Sequence, residues 1–367
     1  MINKTKIHFY GRYNLADLSS VFNILKDINE YETTYDFYKD RKSFPYYSLP
    51  DSVNFILSEN NGPDYCRGKN IDISHGYGPV VGFSKDKNSC NNLINNFFSI
   101  CVYGKFQKDI LLDIGYPEEK IIIFGMPYSI DLLKKTDVDD RNKFLLSKGL
   151  NPENKTLLYA PTWNQWFPNN ITEKVLFKFF NIKETTRHFF ELWWQDGKEY
   201  IRVEKLCKFC MENGINFIVR MHERQRYDKD WLEVYSNIFD KYNVTRHYMD
   251  DDINSLQYLK YSDVLLGDIS TINTYYYVMN KPVVHLNRGK PFNHKLKTII
   301  SSMDIKDRPG YIVDDFEEML EAIKDSFQHP DRFEKQRTLT VKKYIDFTGD
   351  ECIDVIKKEF KRIFQLK

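Results

Sequence analysis

Short apolar runs alternate with segments of helical periodicity along most of the chain. Residues 6–10 predict a β-strand, and apolar residues at helical spacing over 15–28 predict the helix that follows it. Further strands are predicted at residues 71–74, 98–103 and 120–124, and a helix at 105–112. Strands that alternate with helices are typical of a parallel sheet. The first part of the chain is therefore predicted to form an α/β lobe.

The alternation resumes after a polar interval at residues 128–155, which is typical of a linker between domains. The second set of predicted strands covers residues 156–160, 215–220, 264–266, 282–286 and 311–313, with helices at 203–211, 253–261, 315–326 and 351–364. We therefore expect an α/β protein with two Rossmann-like lobes that face a central cleft. The expected boundaries are 1–138 for the first lobe, 139–345 for the second, and 346–367 for a terminal helix that packs back across the lobes.

Residues 165–200 interrupt this pattern with a high density of aromatic side chains, including Trp193 and Trp194. These aromatics exceed what a short connection between a strand and a helix needs. We interpret the segment as a helical insertion that packs on the surface of the second lobe. A surface that faces an acceptor or a membrane is the alternative.

Length and charge narrow the class of protein. The 367 residues exceed the size at which a single hydrophobic core usually stops growing, which supports two domains. The 53 basic and 52 acidic residues leave a formal net charge of +1, so the chain lacks the basic field of a duplex-binding protein, and we expect no nucleic-acid partner. Neither a run of ~18 to 20 apolar residues nor a signal peptide is found, which favours a cytoplasmic location.

The cysteines and one acidic run could indicate metal or redox sites, but simpler interpretations are available. Cys207 and Cys210 have a spacing that zinc sites use, yet they lie in a helical pattern without a second ligand pair, so we expect buried structural thiols. The three aspartates at 250–252 precede a predicted helix and are interpreted as an N-terminal charge cluster. The sequence therefore predicts no metal site.

Polar residues directly after predicted strands are the candidates for a ligand site, because ligands of open parallel sheets bind beyond the carboxyl ends of the strands. Four places qualify. They are His75 and Gly76, Pro161 and Thr162, His222 and Glu223, and the turn that contains Asp268, Ser270 and Thr271.

The last turn suits an anion such as pyrophosphate, since it offers two hydroxyls and the start of a helix. Simple helix capping by Ser270 and Thr271 is the alternative, and it is compatible with ligand binding. His75 and His222 occupy equivalent strand ends in the two lobes, and histidine suits proton transfer near neutral pH. We expect the histidines at 8, 188, 247, 285, 294 and 329, which lack that placement, to be structural.

Several of these segments match, in order along the chain, the motifs of a known family. They are His75-Gly76, Gly125-Met126-Pro127, the run Tyr-Ala-Pro-Thr-Trp at 159–163, Arg220-Met221-His222, the segment 263–271 with Asn280-Lys281-Pro282 downstream, and, more loosely, the segment 349–352. The set resembles the CDP-glycerol glycerophosphotransferase family, the primases and polymerases of teichoic acids and related capsules. Two positions depart from its pattern, because Tyr77 follows His75-Gly76 and Glu223 replaces a proline.

The resemblance implies a GT-B-type fold, with an acceptor-side first lobe and a nucleotide-donor second lobe. It also implies transfer of an alditol phosphate, glycerol phosphate above all, from a CDP-alditol to an acceptor hydroxyl, with release of CMP. In this mechanism His75 is the catalytic base, and His222 stabilises or protonates the departing phosphate. The residues expected to bind substrate are Gly76, Pro161, Thr162, Arg220, Glu223, Asp268, Ser270 and Thr271.

The expected partners are a CDP-glycerol or related CDP-alditol donor and a glycan or lipid-linked acceptor, with no cofactor. A lipid-linked acceptor would bring the chain to the inner face of the cell membrane as a peripheral protein. Two alternatives remain at this point: a GT-B glycosyltransferase or epimerase that uses a UDP-sugar, and a non-catalytic binding subunit of a capsule-synthesis complex.

Overall fold

The computed structural model describes residues 5–11, 16–37, 53–56, 69–73, 97–113, 115–161, 199–221, 229–248, 255–268, 270–286 and 307–364. They divide into two compact units. The first contains the described residues of 1–134 and 339–367, and the second those of 135–295 and 304–338. The chain therefore returns to its first unit at its end.

Twelve strands and eleven α-helices are found in the described part of the chain. In order they are β1 (Thr5–Gly11), α1 (Ala16–Leu25), β2 (Tyr31–Phe37), β3 (Val53–Ile56), β4 (Lys69–Ile73), β5 (Ser99–Val102), α2 (Lys105–Asp113), β6 (Ile121–Ile123), α3 (Ser129–Leu133), α4 (Val138–Ser147), β7 (Thr156–Ala160), α5 (Glu199–Glu212), β8 (Asn216–Met221), α6 (Lys229–Lys241), β9 (Thr245–Tyr248), α7 (Ser255–Tyr261), β10 (Val264–Gly267), α8 (Ile272–Val278), β11 (Val283–Leu286), β12 (Tyr311–Val313), α9 (Phe316–Gln328), α10 (Glu334–Tyr344) and α11 (Glu351–Phe364).

The first unit is built on a six-stranded sheet in the order β2-β1-β3-β4-β5-β6, and its strand pairs are parallel. The terminal helix α11 packs against this unit through its apolar stripe. Phe360 meets Phe55 edge to face at 4.9 Å between ring centroids, and Phe55 stacks on Phe9 at 4.7 Å. All three side chains are fully buried, so the last helix of the chain is part of the core of the first unit.

The second unit is built on another six-stranded parallel sheet, in the order β12-β11-β10-β7-β8-β9. Numbered along the chain, this is the 3-2-1-4-5-6 order of the Rossmann fold. The winding direction reverses between β7 and β10, which are paired with Ala160 opposite Gly267. The predicted fold class, α/β with two Rossmann-like lobes, is confirmed.

One face of the second sheet is covered by α5, α6 and α9, whose apolar residues form a continuous buried cluster with the strands. Cys207 and Cys210 belong to this cluster and are free thiols. Burial raises the pKa of Cys207 to about 12 and that of Cys210 well above its usual value, so both thiols stay protonated. The interpretation of this pair as structural is confirmed.

The predicted linker at residues 128–155 contains the boundary between the two units, at Lys134 and Lys135, but the structure also forms helices α3 and α4 there, which were not predicted. Asp137 caps α4 by accepting a hydrogen bond from the backbone N–H of Asp139 at 2.8 Å. The buried residues of this helix are Phe144 and Leu145, and most of its other residues are polar. The low hydrophobicity of the segment therefore hid a real helix.

Other elements were not predicted: strands β2, β3 and β9, and helices α6 and α10. The helix expected after the turn at 268–271 is found as α8. The aromatic segment 165–200 lies outside the described residues except for its last two positions, and the aspartates at 250–252 also lie outside them.

Candidate functional site

The candidate site of the second unit lies where the strand order reverses. Pro161 follows β7, Asp268 follows β10, and the two strands are adjacent. Arg220 lies near the carboxyl end of β8, which pairs with the other side of β7. Ser270 and Thr271 come next in the turn that leads from β10 to α8. Five of the predicted substrate-binding residues are thus brought to the carboxyl ends of three neighbouring strands, where Rossmann sheets bind their ligands.

The other predicted site residues lie outside the described part of the chain. These are His75, Gly76, Thr162, His222 and Glu223. Two of them follow described strands closely in the sequence. β4 ends at Ile73, two residues before His75, and β8 ends at Met221, immediately before His222.

Asp268 shapes the turn after β10. Its side chain is fully buried, and one carboxylate oxygen, Oδ1, accepts a hydrogen bond from the backbone N–H of Ser270 at 3.2 Å. Its backbone oxygen accepts a second bond from Nδ2 of Asn273, on the first turn of α8, at 2.7 Å. The turn is therefore fixed at its strand end by two hydrogen bonds, one buried and one partly buried.

The hydroxyls of Ser270 and Thr271 contribute little to holding this turn. Thr271 precedes α8 with helical backbone angles (φ −58°, ψ −23°) and makes no capping bond with its side chain. Ser270 Oγ lies 3.5 Å from the backbone nitrogen of Ile272, which is long for an N–H···O bond. Within the described residues neither hydroxyl donates to a protein acceptor, so both can donate to a ligand. The alternative interpretation, in which the two side chains only cap the helix, has little support in this geometry.

The buried histidines of the second unit do not suit proton transfer near neutral pH. Burial, with a smaller contribution from the charge of Arg220, lowers the pKa of His247 to about 3. The ring of His247 stacks on Tyr258 at 4.0 Å between centroids. Burial likewise lowers the pKa of His285 to about 3. Both imidazoles are neutral structural groups, as predicted.

His285 lies opposite Gly267 in the pairing of β10 with β11. Its Nε2 is 3.2 Å from both the hydroxyl of Tyr277 and the backbone oxygen of Pro309. In the first unit, Nδ1 of buried His8 is 2.8 Å from the hydroxyl of Thr34. The structural interpretation is therefore also confirmed for His285 and His8.

The Asn280-Lys281-Pro282 motif serves the architecture of the second unit. The Lys281 ammonium donates to the backbone oxygens of Lys260 at 2.5 Å and Ser262 at 2.8 Å, at the end of α7. Burial lowers the pKa of Lys281 to about 8. Asn280, at a positive φ of 54°, accepts a bond from Nε of buried Arg337 at 2.8 Å. The motif thus connects α7, α8 and α10.

Among the described residues, no group of three or more His, Cys, Asp or Glu side chains could hold a metal ion. No helix within the described ranges is long and apolar enough to cross a membrane.

A Rossmann-type sheet with a polar turn at its switch point defines a nucleotide-binding α/β protein. The sequence profile of the CDP-Glycerol:Poly(glycerophosphate) glycerophosphotransferase family matches residues 110–356. The chain belongs to this family. The predicted resemblance is confirmed, and so is the predicted class of enzyme, a transferase of the CDP-glycerol glycerophosphotransferase type.

Solved structures with the same fold include the wall teichoic acid polymerase TagF, with a TM-score of 0.64 and 16% identity over 99% of this chain and 90% of that one. A TagF variant soaked with CDPG gives a TM-score of 0.63 and 13% identity, over 100% and 91% of the two chains. The S. aureus MnaA–UDP structure gives a TM-score of 0.57 and 14% identity, over 100% and 98%. At these identities the likeness concerns the fold. No curated protein sequence matches the chain significantly.

Asn273 is the site residue that sequence reasoning missed. Nothing in the run Ile-Asn-Thr-Tyr at 272–275 marks it as more than a polar helix residue. Its role depends on its contact with the strand end five residues earlier, which only the folded turn shows.

Proposed function

We propose that this chain transfers glycerol phosphate from CDP-glycerol to a hydroxyl group of a glycan acceptor in teichoic acid synthesis. Family membership supports the reaction class. The proposed donor site rests on the turn after β10. Within the described part of the chain, the two hydroxyls of this turn donate to no protein group.

In this proposal Ser270 and Thr271 donate hydrogen bonds to the pyrophosphate oxygens of the donor. α8 has only seven residues, so the hydroxyls contribute more than the dipole of so short a helix. Arg220, half-buried on the neighbouring strand end, supplies positive charge on the same edge of the sheet. The nucleotide is also bound by Pro161, Thr162 and Asp268. Substrate is bound as well by Gly76 and Glu223, each of which is next in sequence to a catalytic histidine.

The proposed chemistry is a direct displacement. The acceptor oxygen forms a bond to the β-phosphorus of CDP-glycerol while the bond from that phosphorus to the bridging oxygen breaks, and CMP leaves with the bonding electrons. His75 takes the proton of the attacking hydroxyl, and His222 protonates or stabilises the departing phosphate. The products are the glycerophosphorylated acceptor and CMP.

The direct test is product analysis with the purified chain, CDP-glycerol and a glycan acceptor that ends in a free hydroxyl. We expect acceptor-dependent release of CMP and a mass gain of one glycerol phosphate on the acceptor. Parallel reactions with CDP-ribitol and a UDP-sugar determine the donor. Release of UDP without release of CMP would instead assign the chain to the nucleotide-sugar enzymes.

We further propose that the acceptor is carried by a lipid in teichoic acid or capsule synthesis, and that the aromatic segment 165–200 contacts the inner face of the membrane. The support is its sequence, which places Trp193 and Trp194 among further aromatic residues. Co-sedimentation with anionic liposomes should fall when both tryptophans are replaced by Ser. Unchanged co-sedimentation would remove this segment as the contact.

A further inference from the structure

The turn between β10 and α8 is held from within the helix by Asn273. This side chain is 5% exposed, and its Nδ2 donates to the backbone oxygen of Asp268 at 2.7 Å. Its backbone N–H donates to the backbone oxygen of Ser270 at 3.2 Å. Its other amide atom, Oδ1, packs on Gly267 so closely that a Cβ added there would lie 2.4 Å away. One residue thus ties together the end of a strand, the turn and the start of a helix.

This arrangement frees the two hydroxyls of the turn. The usual means of fixing a helix start is a Ser or Thr side chain that accepts a bond from a backbone N–H. Here Thr271 makes no such bond, and that of Ser270 is long, at 3.5 Å. The amide of Asn273 and the carboxylate of Asp268 hold the turn in their place.

We infer that Asn273 is a positioning residue for the donor, because it holds the turn in the shape that directs the Ser270 and Thr271 hydroxyls toward the diphosphate of a nucleoside diphosphate ester. This inference rests on the proposed function, in which the two hydroxyls bind that diphosphate. Asn273 itself need not touch the ligand, because its side chain is buried against Gly267 and Asp268.

The test compares calorimetric affinity for CDP-glycerol in Asn273→Ala and Asn273→Leu with that of the unchanged chain. The leucine variant keeps most of the side-chain volume, so it reports on the lost hydrogen bond even if the alanine variant folds poorly. We expect each variant to bind CDP-glycerol about tenfold more weakly, as partial loss of two charge-assisted bonds would give. The KM for the acceptor should stay unchanged.

A double-mutant cycle separates positioning from general stability. In a Ser270→Ala/Thr271→Ala background the groups that Asn273 positions are gone, so adding Asn273→Ala should not weaken binding further. Asn216 offers a matched control. It is a buried asparagine at the start of β8, at the amino ends of the strands and so away from the candidate site. Its Nδ2 donates to the backbone oxygen of Asn151 at 2.7 Å. Asn216→Ala should lower the melting temperature and leave CDP-glycerol affinity intact.

The outcomes distinguish this inference from the proposed function. If the Asn273 variants bind CDP-glycerol normally while the Ser270/Thr271 variant binds weakly, the positioning role is wrong and the donor site stands. An equal loss from Asn273→Ala in both backgrounds would also overturn the positioning role. If the Ser270/Thr271 variant itself binds CDP-glycerol normally, the proposed donor site is wrong, and the role of Asn273 is wrong with it.

Discussion

Gly267 and Asn273 are in such close contact that a methyl group on Gly267 would lie 2.4 Å from Oδ1 of Asn273. Gly267 is the last residue of β10, and its backbone conformation is ordinary for a strand, so the need for glycine here is one of space. The strand end and the helix start can approach each other only because this position lacks a side chain.

We therefore predict that Gly267→Ala displaces the side chain of Asn273. The expected cost is about 1–3 kcal/mol in the free energy of unfolding, as for other overpacked sites, together with weaker donor binding. Urea unfolding and calorimetric titration with CDP-glycerol measure the two effects. Gly149→Ala is a control for stability alone, since a Cβ there meets nothing within 4 Å although its φ is +72°. Donor affinity equal to that of the unchanged chain would show that this contact does not support the site.

The Ser270→Ala/Thr271→Ala variant is predicted to lose donor affinity by one to two orders of magnitude or more. Charge-assisted hydrogen bonds of this type contribute ~1.5 to 3 kcal/mol each. If the two side chains only capped α8, the variant would lose roughly 1 kcal/mol of stability and keep its donor affinity. Thr338→Ala is a matched control, because this exposed hydroxyl donates within its own helix, to the backbone oxygen of Glu334. Calorimetric titration with CDP-glycerol, together with denaturant unfolding, decides between donor binding and helix capping.

The sequence was sufficient to predict those elements whose structure is determined by neighbouring residues. The run at 156–160 is mostly apolar and buried at every position, and its predicted bounds coincide with those of β7. The turn at Asp268 could be found because a polar run follows a short apolar strand directly. Both features require only neighbouring residues.

Other features depend on distant contacts. Arg337 is among the most deeply buried side chains of the chain, and its partner Asn280 lies 57 residues earlier. Helix α10, which carries Arg337, has almost no hydrophobic periodicity, so its sequence resembles a solvated segment. Asn273 was missed for a different reason, because its contact with Gly267, six residues earlier, forms only when the turn folds.

Acid sensitivity provides a prediction that does not depend on the function. The pKa of His247 falls from its usual 6.5 to about 3 because of burial and the charge of Arg220. Between these two values the unfolded chain binds more protons than the folded chain. The contribution of neutral His247 to the free energy of unfolding is therefore complete above pH 6.5 and is lost as the pH falls toward 3. The loss should be about 1.4 kcal/mol per pH unit for this histidine once the pH is well below 6.5.

His247→Gln should therefore show a smaller loss of unfolding free energy between pH 6 and pH 4 than the unchanged chain. Glutamine can still meet the hydroxyl of Ser255, which lies 3.1 Å from Nε2 of His247. His329→Gln, the same substitution at an exposed histidine at the end of α9, provides the control for the change of side chain. Equal pH dependence in the His247 variant and the unchanged chain would mean that this histidine is not buried in its neutral form.

The proposed role of His75 separates chemistry from binding. As the base that accepts the acceptor proton, His75 acts on the transition state, and it makes no contribution to holding the cytidine nucleotide. His75→Ala should therefore remove most turnover, by about 100-fold or more, while CDP-glycerol affinity measured by calorimetry stays near that of the unchanged chain. His8→Ala is a useful comparison, because this buried histidine bonds to Thr34 and should affect stability before turnover. Turnover of His75→Ala within tenfold of the unchanged chain would show that another group accepts the proton, and loss of donor affinity would show that His75 holds the nucleotide instead.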